Sequence, residues 1–143
     1  IVDSSALPEQ VTRDVVASAF QSAGQRCSAL RVLYLQEDVA DAMLAMIRGA
    51  FEALVIGDPA DPATDVGPVI DAEAKDALDA HLVTMRRRGR KAWSRDLPPG
   101  CARGTFVAPA IVEIDRIGDL DGEKFGPVLH VARFAGGDLE RVI

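Results

Sequence analysis

The sequence predicts an α/β protein in three layers, with a largely parallel sheet and helices on both faces. Two observations carry this. Apolar residues recur at helical spacing in three long stretches, and short β-rich apolar runs alternate with those stretches. A third sets the scale. With 143 residues, 48% of them hydrophobic, the chain has a single-domain length and enough apolar surface for a core.

The elements follow in order. Pro8 suits a first helical turn, and Val11, Val15, Val16, Ala19, Phe20 and Ala23 recur at helical spacing, giving an amphipathic helix over 8–23 that Gly24 stops. Residues 31–35 are apolar and β-rich, hence a short strand. Gln36-Glu37-Asp38 opens a second helix, carried by Val39, Met43, Met46, Ile47, Ala50 and Leu54 and ending near Gly57. The prolines of 58–68 remove donors and restrict their neighbours, so that stretch is a long surface loop. A third helix runs over 71–88, with Ala74, Leu78, His81, Leu82 and Met85 on one face. Residues 106–114 form a strand region interrupted by Pro109, and 128–134 suit a buried strand.

Composition excludes several classes. A net charge of −6 argues against a dedicated nucleic-acid binder. The one basic run, Arg86-Arg87-Arg88-Gly89-Arg90-Lys91, reads as a helix end favoured by the dipole, with no aromatic platform interleaved. No apolar span of membrane length and no signal-peptide order occurs, which predicts a soluble, cytoplasmic protein. Two cysteines are too few for a secreted disulfide framework. There is neither a Gly-x-Gly-x-x-Gly fingerprint nor a P-loop, so any cofactor must find most of its cradle elsewhere. The chain opens on Ile1-Val2 as if within a strand and closes on an unfinished helical turn, which predicts one fragment, 1–143, of a larger protein.

Cys27 is the leading candidate for chemistry. It follows a helix C-terminus and a glycine turn and precedes a strand. That end of a helix dipole gives a thiolate no help, so stabilisation must come from backbone N–H groups, from Arg26 or Arg31, or from a base not obvious in the local sequence. Nucleophile and inert packed thiol both stay open on these local features. Cys101 sits in a Pro-Pro-Gly loop and reads as incidental. His81 and His130 read as packed or hydrogen-bonded histidines, and the His and Cys residues are too scattered to predict a metal site. In Glu123-Lys124-Phe125-Gly126-Pro127-Val128 a carboxylate and an aromatic precede a Gly-Pro turn, which suits either a cofactor cleft or a capped loop leading into a core strand.

Taken together, Phe20, Gly24-Gln25-x-Cys27 with Arg31, Gly67-Pro68, and Glu123-x-Phe125-Gly126-Pro127-Val128 resemble, in that order, motifs of the NAD(P)-dependent aldehyde dehydrogenase superfamily. The likeness covers the whole chain. The stretches 18–31, 64–71 and 106–110 are most similar to the dehydrogenase module of bacterial bifunctional proline-utilisation proteins. That resemblance implies oxidation of L-glutamate γ-semialdehyde (Δ1-pyrroline-5-carboxylate) to L-glutamate with NAD, while FAD belongs to the separate proline-oxidising module. Other small aldehydes, or a non-enzymatic α/β interaction domain, are the alternatives.

The resemblance also assigns roles. Cys27 is the nucleophile, Glu123 and Phe125 contact the cofactor, and Arg26 and Ser28 flank the thiol where a substrate carboxylate could be received. It places the general-base glutamate, the oxyanion-hole asparagine and the dinucleotide-binding domain outside this chain. The fragment is therefore expected to be inactive alone. Its partners are the small aldehyde, the remaining domains of its polypeptide and further copies of itself, with no membrane or nucleic acid.

Overall fold

The computed structural model describes residues 1–143. Helix α1 (Pro8–Phe20) starts on its proline, which needs no intrahelical partner for an N–H, and buries Val15, Ala19 and Phe20. Strand β1 (Val32–Gln36) leads directly into helix α2 (Glu37–Glu52). Glu37 and Asp38 sit in the first turn of α2, where negative charge suits the dipole, and its inner face carries Ala40, Met43, Leu44, Ile47 and Phe51. The Phe20 and Phe51 rings meet with centroids 5.1 Å apart, joining α1 to α2.

Helix α3 (Ala72–Arg87) is capped by Asp71, whose carboxylate accepts from Ala74 N at 2.8 Å. Strands β2 (Ala92–Ser94), β3 (Ala110–Glu113) and β4 (Val128–Phe134) follow, and a final turn, α4 (Leu139–Val142), ends the chain. The sheet order is β1-β4-β3-β2. β4 pairs parallel with β1 (Val32 opposite His130) and with β3 (Ala110 opposite Val128), while β2 runs antiparallel to β3. Val2 adds a parallel bridge to Leu35 at the outer edge of β1, in keeping with the strand-like opening.

Alternation along β4 sorts the layers. His130 meets His81 of α3, whereas Arg133 reaches Asp41 of α2 at 2.8 Å. Helices thus cover both faces of the sheet, and six of the seven β4 residues are buried. A cluster of 28 buried residues forms the core. At about 25 cal/mol per Å², such burial is the main force holding the layers together.

Three local expectations are corrected. α1 ends at Phe20, short of the expected 23, because the chain turns into a left-handed run there. α2 ends at Glu52 rather than near Gly57; Leu54 is only packed against the core from the side, and Ile56 instead forms a parallel bridge to Val66. β2 was not foreseen. Its three residues are all only half-buried and lie beside a basic run, so no apolar alternation marks them. The strand region 106–114 narrows to β3, with Pro109 just outside it. The 58–68 loop is a loop, tied by Asp58 and Asp61 carboxylates that accept from the backbone two residues on, both at 2.9 Å.

A candidate catalytic-cysteine site

The turn before Cys27 is built from unusual backbone. Ser22, Ala23 and Gly24 all have positive φ, at 55°, 52° and 64°. Left-handed non-glycine residues cost roughly 1 kcal/mol each, so surrounding structure must hold them. Part of it is the close approach of two loops. A Cβ on Gly24 would lie 2.2 Å from the Gly126 carbonyl oxygen, and one on Gly126 would lie 2.3 Å from Leu78 Cδ1. The glycines bring the cysteine turn against the start of β4, which is where Glu123 and Phe125 sit.

Gln25 supplies a second tie. Its amide nitrogen donates to Pro68 O at 3.3 Å, and its amide oxygen accepts from Ile70 N at 2.8 Å. One side chain thus fastens the cysteine turn to the Gly67-Pro68 loop. Cys27 itself is exposed, whereas Cys101 is buried at 4% within a short 3₁₀ turn over Pro99–Arg103. No backbone carbonyl takes the Cys27 N–H, so that donor is unpaired within the chain.

Arg31 joins the pieces. Its guanidinium donates to Gly24 O at 2.6 Å, Arg26 O at 3.0 Å and Glu123 Oε1 at 3.3 Å. The same group stands 4.6 Å from the centroid of Phe125. Glu123 is 62% exposed at its side chain and Phe125 is 45% exposed. A carboxylate with one oxygen free, next to an open aromatic face, fits a ribose diol and a flat heteroaromatic ring, the parts NAD would present. Arg26 and Ser28 flank the thiol in sequence. Ser28 is exposed, but the Arg26 guanidinium turns back to donate to Ala17 O at 3.2 Å, and its Nε is buried without a partner.

Sequence reasoning missed how the two histidines meet. His81 and His130 are 5% and 1% exposed, and their Nε2 atoms lie 2.9 Å apart. His130 Nδ1 lies 3.1 Å from Arg31 O, so it must carry the proton it donates there. His130 Nε2 then accepts from His81 Nε2–H. Burial, with the neighbouring His130 and Lys124 adding to it, pushes His81 down to about 4. Burial also pushes His130 down, opposed by its bond to the Arg31 carbonyl. These hydrogen bonds run to each other and to Arg31, not to the Cys27 thiol, so neither imidazole is paired with the sulfur. No group of three or more His, Cys, Asp or Glu residues is arranged to hold a metal ion.

What the arrangement offers is an exposed thiol, an unpaired backbone N–H and a carboxylate–aromatic arm, all keyed to one arginine. The model of the aldehyde dehydrogenase family matches residues 1–143. The bifunctional protein PutA of Klebsiella aerogenes is 52% identical over 149 residues, covering all of this chain and 11% of PutA. A crystal structure of bifunctional proline utilization A (PutA) superposes with a TM-score of 0.84 at 57% identity, covering 96% of this chain and 14% of that one. A 1-pyrroline-5-carboxylate dehydrogenase of Geobacillus kaustophilus is 34% identical over 93% of this chain and 26% of its own length. The chain therefore spans about a ninth of the PutA relative it matches.

Proposed function

The chain belongs to the aldehyde dehydrogenase family, and we propose that it carries the cysteine half of an active site that oxidises L-glutamate γ-semialdehyde to L-glutamate. The observation that carries the reading is Cys27, exposed on a strained turn whose carbonyls bond Arg31, which also reaches Glu123 and Phe125. The semialdehyde is supported over other small aldehydes by the 52% identity to PutA and by the likeness to a 1-pyrroline-5-carboxylate dehydrogenase.

In this reading the Cys27 thiolate attacks the aldehyde carbon and forms a thiohemiacetal. Its oxyanion would accept from the unpaired Cys27 N–H, and a fixed backbone donor is worth more than a mobile one. The same sulfur then carries the acyl group as a thioester until water releases the carboxylic acid. NAD, bound, supplies the hydride acceptor. Glu123 would hold ribose hydroxyls through its free oxygen, and Phe125 would pack on the flat part of the cofactor. Ser28 and Arg26 stand where a substrate carboxylate would arrive, which for Arg26 requires its guanidinium to leave Ala17 O.

The general base, the rest of the cofactor cradle and FAD chemistry belong, in this proposal, to other parts of the parent polypeptide. Those parts are also the partners of the 143-residue chain, which would then not turn over alone. No helix is long and apolar enough to cross a membrane, and a cytoplasmic setting is proposed with NAD as the oxidant. Assay of the isolated chain and of the full-length polypeptide with NAD and the semialdehyde tests both parts. Turnover only in the full-length protein supports the reading, and equal turnover by the chain alone would overturn the division of labour.

A further inference from the structure

We propose that Arg31 is the positioning residue that couples the nucleophile to the cofactor arm, by fixing the Arg26–Cys27 peptide at one end and Glu123 at the other. The inference rests on the proposed function above and assigns Arg31 its part in it.

The peptide unit is planar and trans, so its C=O and N–H point in opposite directions. The Arg26 carbonyl accepts from Arg31 Nη2 at 3.0 Å and from Ala29 N at 3.1 Å, which directs it into the turn. The N–H of the same peptide is that of Cys27. Holding the oxygen inward therefore holds that N–H outward, where it meets no acceptor within the chain. Arg31 Nη1 adds a bond to Gly24 O at 2.6 Å, so the two carbonyls that bracket Gln25 are fastened to one rigid fork.

The other end of the fork faces Glu123 and Phe125, residues 92 and 94 positions away in sequence. Arg31 is only 14% exposed at its side chain, so its charge is little screened by water, whereas Glu123 is open. The Arg31 backbone that carries the fork is held in turn. Its carbonyl accepts from His130 N at 2.9 Å and from the His130 imidazole, which His81 supports from α3. Displacing Glu123 toward a ribose must therefore strain or release the same group that aims the Cys27 N–H. Cofactor seating and thiol presentation become one event rather than two.

The test uses the full-length polypeptide with R31M, R31K, E123Q and C27A. Two readouts are needed: the rate of Cys27 alkylation by iodoacetamide across pH without cofactor, and KM for NAD set against kcat. R31M should raise KM for NAD and lower kcat, each by about tenfold or more, since small misplacements near reacting atoms have effects of that size. It should also change cofactor-free alkylation of Cys27 by about threefold or more. R31K, with charge but no fork, should fall between. In an E123Q background R31M should raise KM for NAD by much less than in the wild type, because the contact is shared.

A purely structural arginine predicts lower thermal stability with both readouts unmoved in the folded variant, and additive effects with E123Q. Either result overturns the proposal. Should R31M fail to fold, R31K decides on the same two readouts. C27A separates the two levels of inference. Turnover surviving in C27A would sink the proposed function itself, whereas a dead C27A with neutral Arg31 variants would sink this inference alone.

Discussion

The two cysteines of this chain occupy opposite kinds of place. Cys27 is exposed at the end of three left-handed residues, gripped by an arginine and a glutamine that reach across the fold. Cys101 is buried in a short 3₁₀ turn, its N–H spent on Pro98 O at 2.9 Å, and no charged side chain bonds to its turn. Even their glycines differ. A Cβ on Gly24 would strike a backbone carbonyl, whereas one on Gly104, beside Cys101, would strike only the Phe106 ring at 2.6 Å. Strain and long-range ties are concentrated at one thiol and absent at the other. On the proposed reading, this sets a positioned reactive thiol against a packed one.

The largest effect should come from exchanging the thiols for alanine in the full-length polypeptide. C27A should lower kcat for semialdehyde oxidation by roughly a thousandfold or more, as loss of a nucleophile does elsewhere. C101A should leave kcat and KM unchanged and cost about 1 kcal/mol or less in unfolding free energy, through a small cavity. Equal losses in steady-state assays would break the comparison.

Next in size is the glycine pair. G24A combines a φ of 64° with contact against backbone, and should destabilise by about 2–4 kcal/mol while depressing Cys27 alkylation. G104A meets a side-chain ring rather than backbone, and should cost less, about 1–2 kcal/mol, with no loss of turnover. Denaturant melts read beside activity distinguish the two. G126A, which meets only the Leu78 side chain, should lie between them, and L78A should relieve part of its cost.

The smallest effect is on pH dependence. His81 is held at about 4, below its ordinary 6.5, and His130 is lowered as well. The unfolded chain therefore binds more protons than the folded one between about pH 6.5 and 4. Stability should be fully present above that window and fall as pH drops through it, with a limiting slope of about 1.4 kcal/mol per pH unit for each proton. The groups facing the pair are Lys124 and Arg88, which disfavour a charge on His81, and Asp121, which favours it. Urea titrations across this range should show the slope in the wild type and a reduced one in H81N. An unchanged slope would show that His81 is not the group that titrates in this window.

Much of this fold was legible because it obeys local rules. The apolar face of 71–88 marked α3 to within a residue at each end, and the run of β-formers over 128–134 matches β4 unaltered. What local rules do not carry was missed. β2 depends on pairing with β3 rather than on its own three residues. The left-handed run at 22–24 looked like a helix continuing to its glycine, because Ser22 and Ala23 carry no turn signature. The site divides the same way. Cys27, Glu123 and Phe125 stood out by residue type and motif, yet their meeting through Arg31 spans more than ninety residues. The roles of Gln25 and the His81–His130 pair likewise rest on partners that no local spacing reveals.

The central claim is that the Cys27 sulfur becomes covalently attached to substrate carbon during turnover. Acid quench of the full-length polypeptide mixed with NAD and L-glutamate γ-semialdehyde, followed by peptide mass spectrometry, tests it directly. A glutamyl adduct on the peptide bearing Cys27, absent without NAD and absent in C27A, is the predicted result. An adduct on the Cys101 peptide instead, or undiminished turnover with no adduct in C27A, would contradict it.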